Sequence, residues 1–347
     1  MSEAEVWFDI PEFNILAKNV TVPGFSPLFP QAHCTADENI CSLVTGEAEI
    51  NAATTITTLV HSPLFDLRQT YFLIAGIAGI SPKMGTIGSV TFARYAIQVA
   101  LQFEIDAREK PTNFSTGYIP QGSTSPDEYP QSIYGTEVFE VNDNLRQAAI
   151  KMARESTLFD NVASQQFRAQ YASNPAFAAG AAPPSVVACD TATSDVFWSG
   201  ALLGGAFENT TTLFTNGTGV YCTTQQEDNA TLEALTRGAL IGLLDFSRII
   251  VMRTASNFDR PFDGQSVADH LFGASPGFVP SVQNIHLAGV RVVNGIVAGW
   301  KKTFAKGVKP NNYVGDIFGT LGGEPNFGPG NIFGGKRAPT RRGLRRR

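Results

Sequence analysis

Charged residues are scarce in this 347-residue chain: Asp, Glu, Lys and Arg make up 16% of it and leave a net charge of −5. With 43% hydrophobic residues beside them, that scarcity excludes a disordered chain and describes a globular one with a sizeable core. Long apolar runs are missing too. The runs 72–80 and 238–244 fall well short of the about eighteen residues that a membrane helix needs, so no transmembrane channel is expected from this chain by itself. No signal peptide is expected either, because Met1-Ser2-Glu3-Ala4-Glu5-Val6-Trp7 opens directly into acidic and aromatic residues. Only four cysteines are present, Cys34 and Cys41 close together, Cys189 and Cys222 farther on. Their even number and loop context allow two disulfides, Cys34 to Cys41 first among the pairings, with four free thiols in a cytosolic protein as the other reading. A zinc site finds little support, since His33 alone stands beside a cysteine and the spacing matches no common zinc pattern. Neither a metal nor a cofactor is expected.

What the chain does contain is punctuated by glycine and asparagine. Asn-x-Ser/Thr occurs at Asn19, Asn113, Asn209, Asn216 and Asn229, dense enough to favour a glycosylating secretory route. A full-length product with a leader would then be secreted or held at the cell surface; without one, the cytoplasm is the alternative. The basic run 336–347 reads as a solvated, disordered tail with no function assigned, and no nucleic-acid partner is inferred from it.

Residues 70–95, TYFLIAGIAGISPKMGTIGSVTFARY, organise the rest. An apolar run from Tyr71 to Ala75 predicts a buried strand that ends in a glycine-rich turn at Gly76-Ile77-Ala78-Gly79, and strand resumes over 90–92. Ahead of it, Ile50, Ala53, Ile56 and Val60 recur at helical spacing behind a first-turn carboxylate. Residues 1–13 lack the apolar strand that usually opens an α/β domain, so an edge or first strand of the sheet is expected to be missing. Further on come a strand over 98–105 and a long polar loop over 106–134. A helix capped by Asn142 then runs through Ala153, and a second helical stretch covers 163–171. A short strand follows at 185–188, then a hairpin around Asn216-Gly217 and a helix over 230–244. The chain closes with a strand over 249–252 that ends in 253–257 and a helix over 285–305. Strands alternating with helices give an α/β fold, a single three-layer αβα domain with a mixed central sheet over residues 1–335.

Four segments end strands or open helices with polar residues that can share one pocket: 76–79, 194–198, 226–228 and 253–257. Together with Thr45-Gly46-Glu47-Ala48-Glu49-Ile50-Asn51-Ala52, Ala93-Arg94-Tyr95 and Asn312-Tyr313-Val314-Gly315-Asp316, they resemble the purine nucleoside permease family of fungi and bacteria. The resemblance covers nearly the whole chain and implies the fold of the nucleoside phosphorylases and of methylthioadenosine/S-adenosylhomocysteine nucleosidase. It implies purine nucleosides (adenosine, guanosine, inosine) as partners, and it leaves a homo-oligomer open.

In that superfamily a carboxylate at the position of Glu227, here beside Gln226, takes the ribose 2′- and 3′-hydroxyls, since an ionised carboxylate accepts two O–H donors at once. Phe197 matches the aromatic that stacks on the purine, with Trp198 next to it. Asn257 falls where the nucleosidase keeps an aspartate that protonates the leaving purine at N7. An asparagine cannot supply that proton but can hydrogen-bond the base, which leaves the acid work to Asp259 or a water. A phosphorylase needs a cationic or hydroxyl-lined phosphate pocket, yet Ile77, between Gly76 and Ala78, stands where that class has a serine. That departure leans toward water as nucleophile, although Arg94 or Arg253 could add positive charge; Glu3 and Glu5 resemble the acidic run that would activate the water. The resemblance thus implies cleavage of the N-glycosidic bond by hydrolysis, with nucleoside capture in aid of transport as the alternative.

Overall fold

The computed structural model describes residues 2–327; the basic run 336–347 lies outside the described residues. In chain order the elements are α1 (Ser2–Glu5), β1 (Lys18–Thr21), β2 (Gln31–Cys34), β3 (Cys41–Ser42), α2 (Glu49–His61), β4 (Phe72–Ile80), β5 (Val90–Ala93), β6 (Tyr95–Gln98), β7 (Gln102–Glu104), β8 (Tyr118–Pro120), β9 (Val138–Glu140) and α3 (Asp143–Ala153). They continue with α4 (Val162–Arg168), α5 (Ala178–Ala181), β10 (Val186–Ala188), β11 (Asp190–Thr193), α6 (Ala201–Phe214), β12 (Tyr221–Gln225), α7 (Asp228–Leu240), β13 (Ile249–Phe258), α8 (Val267–Phe272), α9 (Phe278–Ala298) and β14 (Gly315–Asp316).

Nine strands form one mixed sheet in the order β10-β5-β13-β4-β12-β11-β6-β9-β14. β13 runs parallel to β4 and antiparallel to β5, and β12 runs parallel to β11. Successive side chains of a strand point to opposite faces, and β13 shows what that does here. Ile249 and Val251 pack with Ile56, Leu59 and Val60 of α2 and with Leu232 and Leu235 of α7. Ile250 and Met252 pack with Leu145 and Ala149 of α3 and with Ile285, Ala288 and Val292 of α9. Apolar residues at three- and four-residue spacing on each helix meet apolar residues at two-residue spacing on the strand, and the three αβα layers follow.

Helix α3 begins where the sequence predicts, with the Asn142 side chain accepting from the Leu145 amide at 3.3 Å. Both disulfides form, Cys34–Cys41 and Cys189–Cys222. Several expectations are corrected. Residues 76–79 are not a turn but the interior of β4, which runs unbroken to Ile80. The stretch 253–257 is likewise strand, the second half of β13. The expected strand over 98–105 is divided between β6 and the small β7–β8 ribbon. No hairpin surrounds Asn216 and Gly217: their positive φ of 52° and 75° closes the unpredicted helix α6 and leads into β12. Among the sequons, Asn229 is 1% exposed and donates to the Thr136 carbonyl, so the folded chain does not present it, whereas Asn19, Asn113 and Asn216 are exposed.

Candidate functional site

Arg253 determines the shape of the site. Its side chain leaves β13, crosses β4 and ends between two carboxylates, 2.8 Å from Glu227 Oε1 and 2.5 Å from Asp228 Oδ1. Its Nη1 donates to the Ile77 carbonyl at 3.2 Å. This crossing explains a glycine within a strand: a Cβ on Gly76 would lie 2.5 Å from Arg253 Nη1. Gly79 has the same reason, since its Cβ would lie 2.4 Å from Thr224 Oγ1 and 3.4 Å from Asn257 Nδ2. Asp228 is fully buried; burial raises its carboxyl above the usual range, and the Arg253 charge opposes that rise. Burial alone would lower the Arg253 pKa, but Asp228 and Glu227 together lift it above its ordinary value.

Glu227 and Asp228 stand at the start of α7, where both backbone amides donate to Gln225 Oε1, at 2.9 and 2.8 Å. That side-chain cap fixes where the Glu227 carboxylate sits. Its Oε1 is spent on Arg253, among the described residues nothing hydrogen-bonds its Oε2, and the residue lines the cleft. Asn257 owes its position to a bulge: Ala255 pairs with Ala78 and Asn257 with Gly79, so Ser256 is the extra residue. Its side chain accepts from Ser256 Oγ at 2.9 Å and donates to the Phe258 carbonyl at 3.0 Å.

Arg253, Gln225, Glu227, Ser256 and Asn257 line a single cleft of about 1730 Å³. It brings together Glu3, Gly76, Ile77, Ala78, Gly79, Phe197, Trp198, Gln226, Glu227 and Asn257 of the residues expected from sequence. Glu3 Oε1 accepts from the Ile77 amide at 2.8 Å. Phe197 is 60% exposed and free to meet a ligand, whereas Trp198 is 8% exposed and packs edge-on against Phe207 at 4.5 Å between ring centroids. Three expected residues are not among those lining the cleft. Asp259 is buried in a two-point pair with Arg260, at 2.8 and 2.7 Å, and accepts from the Tyr221 hydroxyl. Arg94 is committed to the buried Glu140. Glu5 is exposed on the short helix α1. Sequence reasoning missed Gln225 and Ser256, and it gave Arg253 only a marginal part, because the pairing of Arg253 with Glu227 and Asp228 is a tertiary contact.

The chain matches the purine nucleoside permease family over residues 1–309. It belongs to that family. It is 45% identical over 333 residues to a purine nucleoside permease of Candida albicans, covering 94% of this chain and 80% of that one. It is 40% identical over 308 residues to a probable purine nucleoside permease of Schizosaccharomyces pombe, covering 86% and 87%. Among solved structures it is similar to a 5′-methylthioadenosine/S-adenosylhomocysteine nucleosidase from Neisseria meningitidis in complex with methylthio-immucillin-A (14% identity, 85% of this chain and 94% of that one, TM-score 0.45). It is also similar to futalosine hydrolase of Helicobacter pylori (13% identity, 85% and 94%, TM-score 0.47). Among the described residues of this permease-family chain, no helix is long and apolar enough to cross a membrane.

One further carboxyl borders the site of this family member. Glu49 opens α2, and its backbone amide donates to Asp195 Oδ1 at 2.9 Å, which ties the 194–198 loop to that helix. Burial first, then the negative charges of Asp195 and Glu227, push the Glu49 carboxyl up to about 7, against a hydrogen bond from Gln98. An acid whose folded-state pKa is raised holds extra protons in the native state between its unfolded value near 4.5 and 7, so it contributes stability at low pH that is lost as pH rises through that window. Unfolding midpoints in urea are therefore expected to fall between pH 4.5 and 7 in the parent and to fall less in Glu49→Gln.

Proposed function

We propose that this protein binds purine nucleosides and cleaves their N-glycosidic bond by hydrolysis. The observation that carries the reading is the meeting of Glu227, Phe197 and Asn257 in one cleft with the backbone of 76–79. Glu227 Oε2 accepts from the sugar diol, Phe197 stacks on the base, and Asn257 hydrogen-bonds its edge. The names of the relatives and of the similar nucleosidases agree with a purine nucleoside as ligand. Water is favoured over phosphate because Arg253, the cation paired with Glu227, is already spent on Glu227 and Asp228, while Glu3 adds a further carboxylate to the cleft. Incubation with inosine, adenosine and guanosine, with and without phosphate, tests this: free base released without phosphate is expected. No release in either case removes the enzyme reading.

A second reading, nucleoside capture without turnover, is favoured by one residue. Asn257 has no proton to give a departing purine, and its amide already bonds within the chain. Asn257→Asp is expected to raise base release by about a hundredfold, the order of a general acid's contribution, with the rate falling as pH rises through the new carboxyl's titration. Tight binding by calorimetry with no release from either protein supports capture.

A further inference from the structure

The Asn-x-Ser/Thr signals have no part in the cleft, since none of Asn19, Asn113, Asn209, Asn216 and Asn229 lines it. The fold divides them into two classes. In Asn19-Val20-Thr21, Asn113-Phe114-Ser115 and Asn216-Gly217-Thr218 the asparagine and the hydroxyl residue two places on are both exposed. In Asn209-Thr210-Thr211 and Asn229-Ala230-Thr231 the hydroxyl residue is buried, Thr211 being 1% and Thr231 3% exposed. The amides divide the same way. Asn209 Nδ2 donates to Asp127 Oδ1 at 3.0 Å and to the Pro126 carbonyl at 3.2 Å, and Asn229 Nδ2 donates to the Thr136 and Ala96 carbonyls at 2.7 and 3.4 Å, so both hydrogens of each amide are engaged. Among the described residues nothing accepts from Nδ2 of Asn19, Asn113 or Asn216; Asn19 meets His33 Nδ1 through its Oδ1, at 2.7 Å.

The cysteines supply the second observation. Cys41 is exposed, yet it is joined to Cys34 across the β2–β3 pair, and Cys189 is joined to Cys222. Such bonds persist in oxidising compartments, where N-glycosylation also takes place, and are rare where glutathione keeps thiols reduced. We propose that the protein is N-glycosylated at Asn19, Asn113 and Asn216 and at neither Asn209 nor Asn229. The donor is a lipid diphosphate-linked oligosaccharide. Nδ2 bonds the anomeric carbon of its first sugar, the bond from that carbon to the diphosphate oxygen breaks, the lipid diphosphate leaves with the electron pair, and the amide gives up one proton. A linked asparagine keeps its Oδ1 and a single N–H. Asn19, Asn113 and Asn216 lose no contact by that exchange, whereas Asn209 and Asn229 each forfeit a hydrogen bond. A sugar on either would also displace what packs there, residues 126–127 at Asn209, and Ala96 and Thr136 at Asn229, which is itself 1% exposed. Chains modified at those two positions before folding therefore do not reach this structure.

The test takes the protein purified from its own cells and treats it with peptide N-glycosidase in heavy-oxygen water, which turns each glycosylated asparagine into a labelled aspartate. Peptide mass spectrometry then reads every sequon. Label is expected at Asn19, Asn113 and Asn216 and is expected to be absent at Asn209 and Asn229. Asn19→Gln, Asn113→Gln and Asn216→Gln are each expected to remove one step of gel mobility, and Thr21→Ala, Ser115→Ala and Thr218→Ala to remove the same steps with the asparagines intact. Should a variant fail to fold, the label in the parent decides. Missing label at any of the three exposed asparagines overturns the proposal, and so does label at Asn209 or Asn229 in folded protein.

Discussion

Arg253→Met is expected to destabilise the protein by about 3–5 kcal/mol, enough to leave much of it unfolded under ordinary conditions. The guanidinium is 4% exposed and neutralises Asp228, which is 0% exposed, as well as the partly exposed Glu227. Removing it strands a carboxylate that water cannot reach, and the penalty is that of an uncompensated buried charge rather than of one lost hydrogen bond. The double variant Arg253→Met with Asp228→Asn is therefore expected to recover most of the loss, because the asparagine carries no charge and still opens α7. Urea unfolding of the parent, both single variants and the double variant closes the cycle. Additive losses would mean that the pair contributes no coupling and that the arginine acts by filling space.

Glu227→Ala is expected to act on ligand and not on fold. Two charge-assisted hydrogen bonds to a diol contribute about 1.5–3 kcal/mol each, so nucleoside affinity should fall by about 10²- to 10⁴-fold. Stability should change by less than about 1 kcal/mol, since Arg253 keeps Asp228 and Gln225 still caps the helix. Glu227→Gln should lie between, retaining one acceptor without the charge. Calorimetry with inosine on the three proteins reads this directly; affinities within about threefold of each other would remove Glu227 from the sugar and, with it, the proposed pose.

Much of this arrangement is visible in the residues themselves, and what is not visible has a common cause. Helix α3 is legible because its signals are local: Asn142 caps it, and Leu145 and Ala149 repeat along one face. The strand around Ile249 is legible for the same reason, a short apolar run. By contrast, glycines 76 and 79 read as a turn because a neighbouring-residue argument knows nothing of Arg253 and Thr224, the side chains whose passage requires them. Helix α6 escaped notice because Gly204, Gly205 and three consecutive threonines disguise it; Gly204 itself leaves room for Arg260. Within the site, Glu227, Phe197 and Asn257 meet as expected, while Asp259 and Arg94 do not line the cleft because each already has a buried partner of opposite charge. Which charges are spent is decided by tertiary pairing, and no spacing in the sequence records it. The tie between Glu49 and Asp195, 146 residues apart, is of the same kind.

The Cys189–Cys222 bond lies just ahead of β11 and within β12, two adjacent parallel strands. One strand leads into the loop bearing Phe197 and the other into the helix start bearing Glu227. A single covalent link therefore holds, from below, the spacing between the aromatic and acidic jaws, so a thiol reductant reaching that bond would slacken the grip on a ligand without touching either jaw.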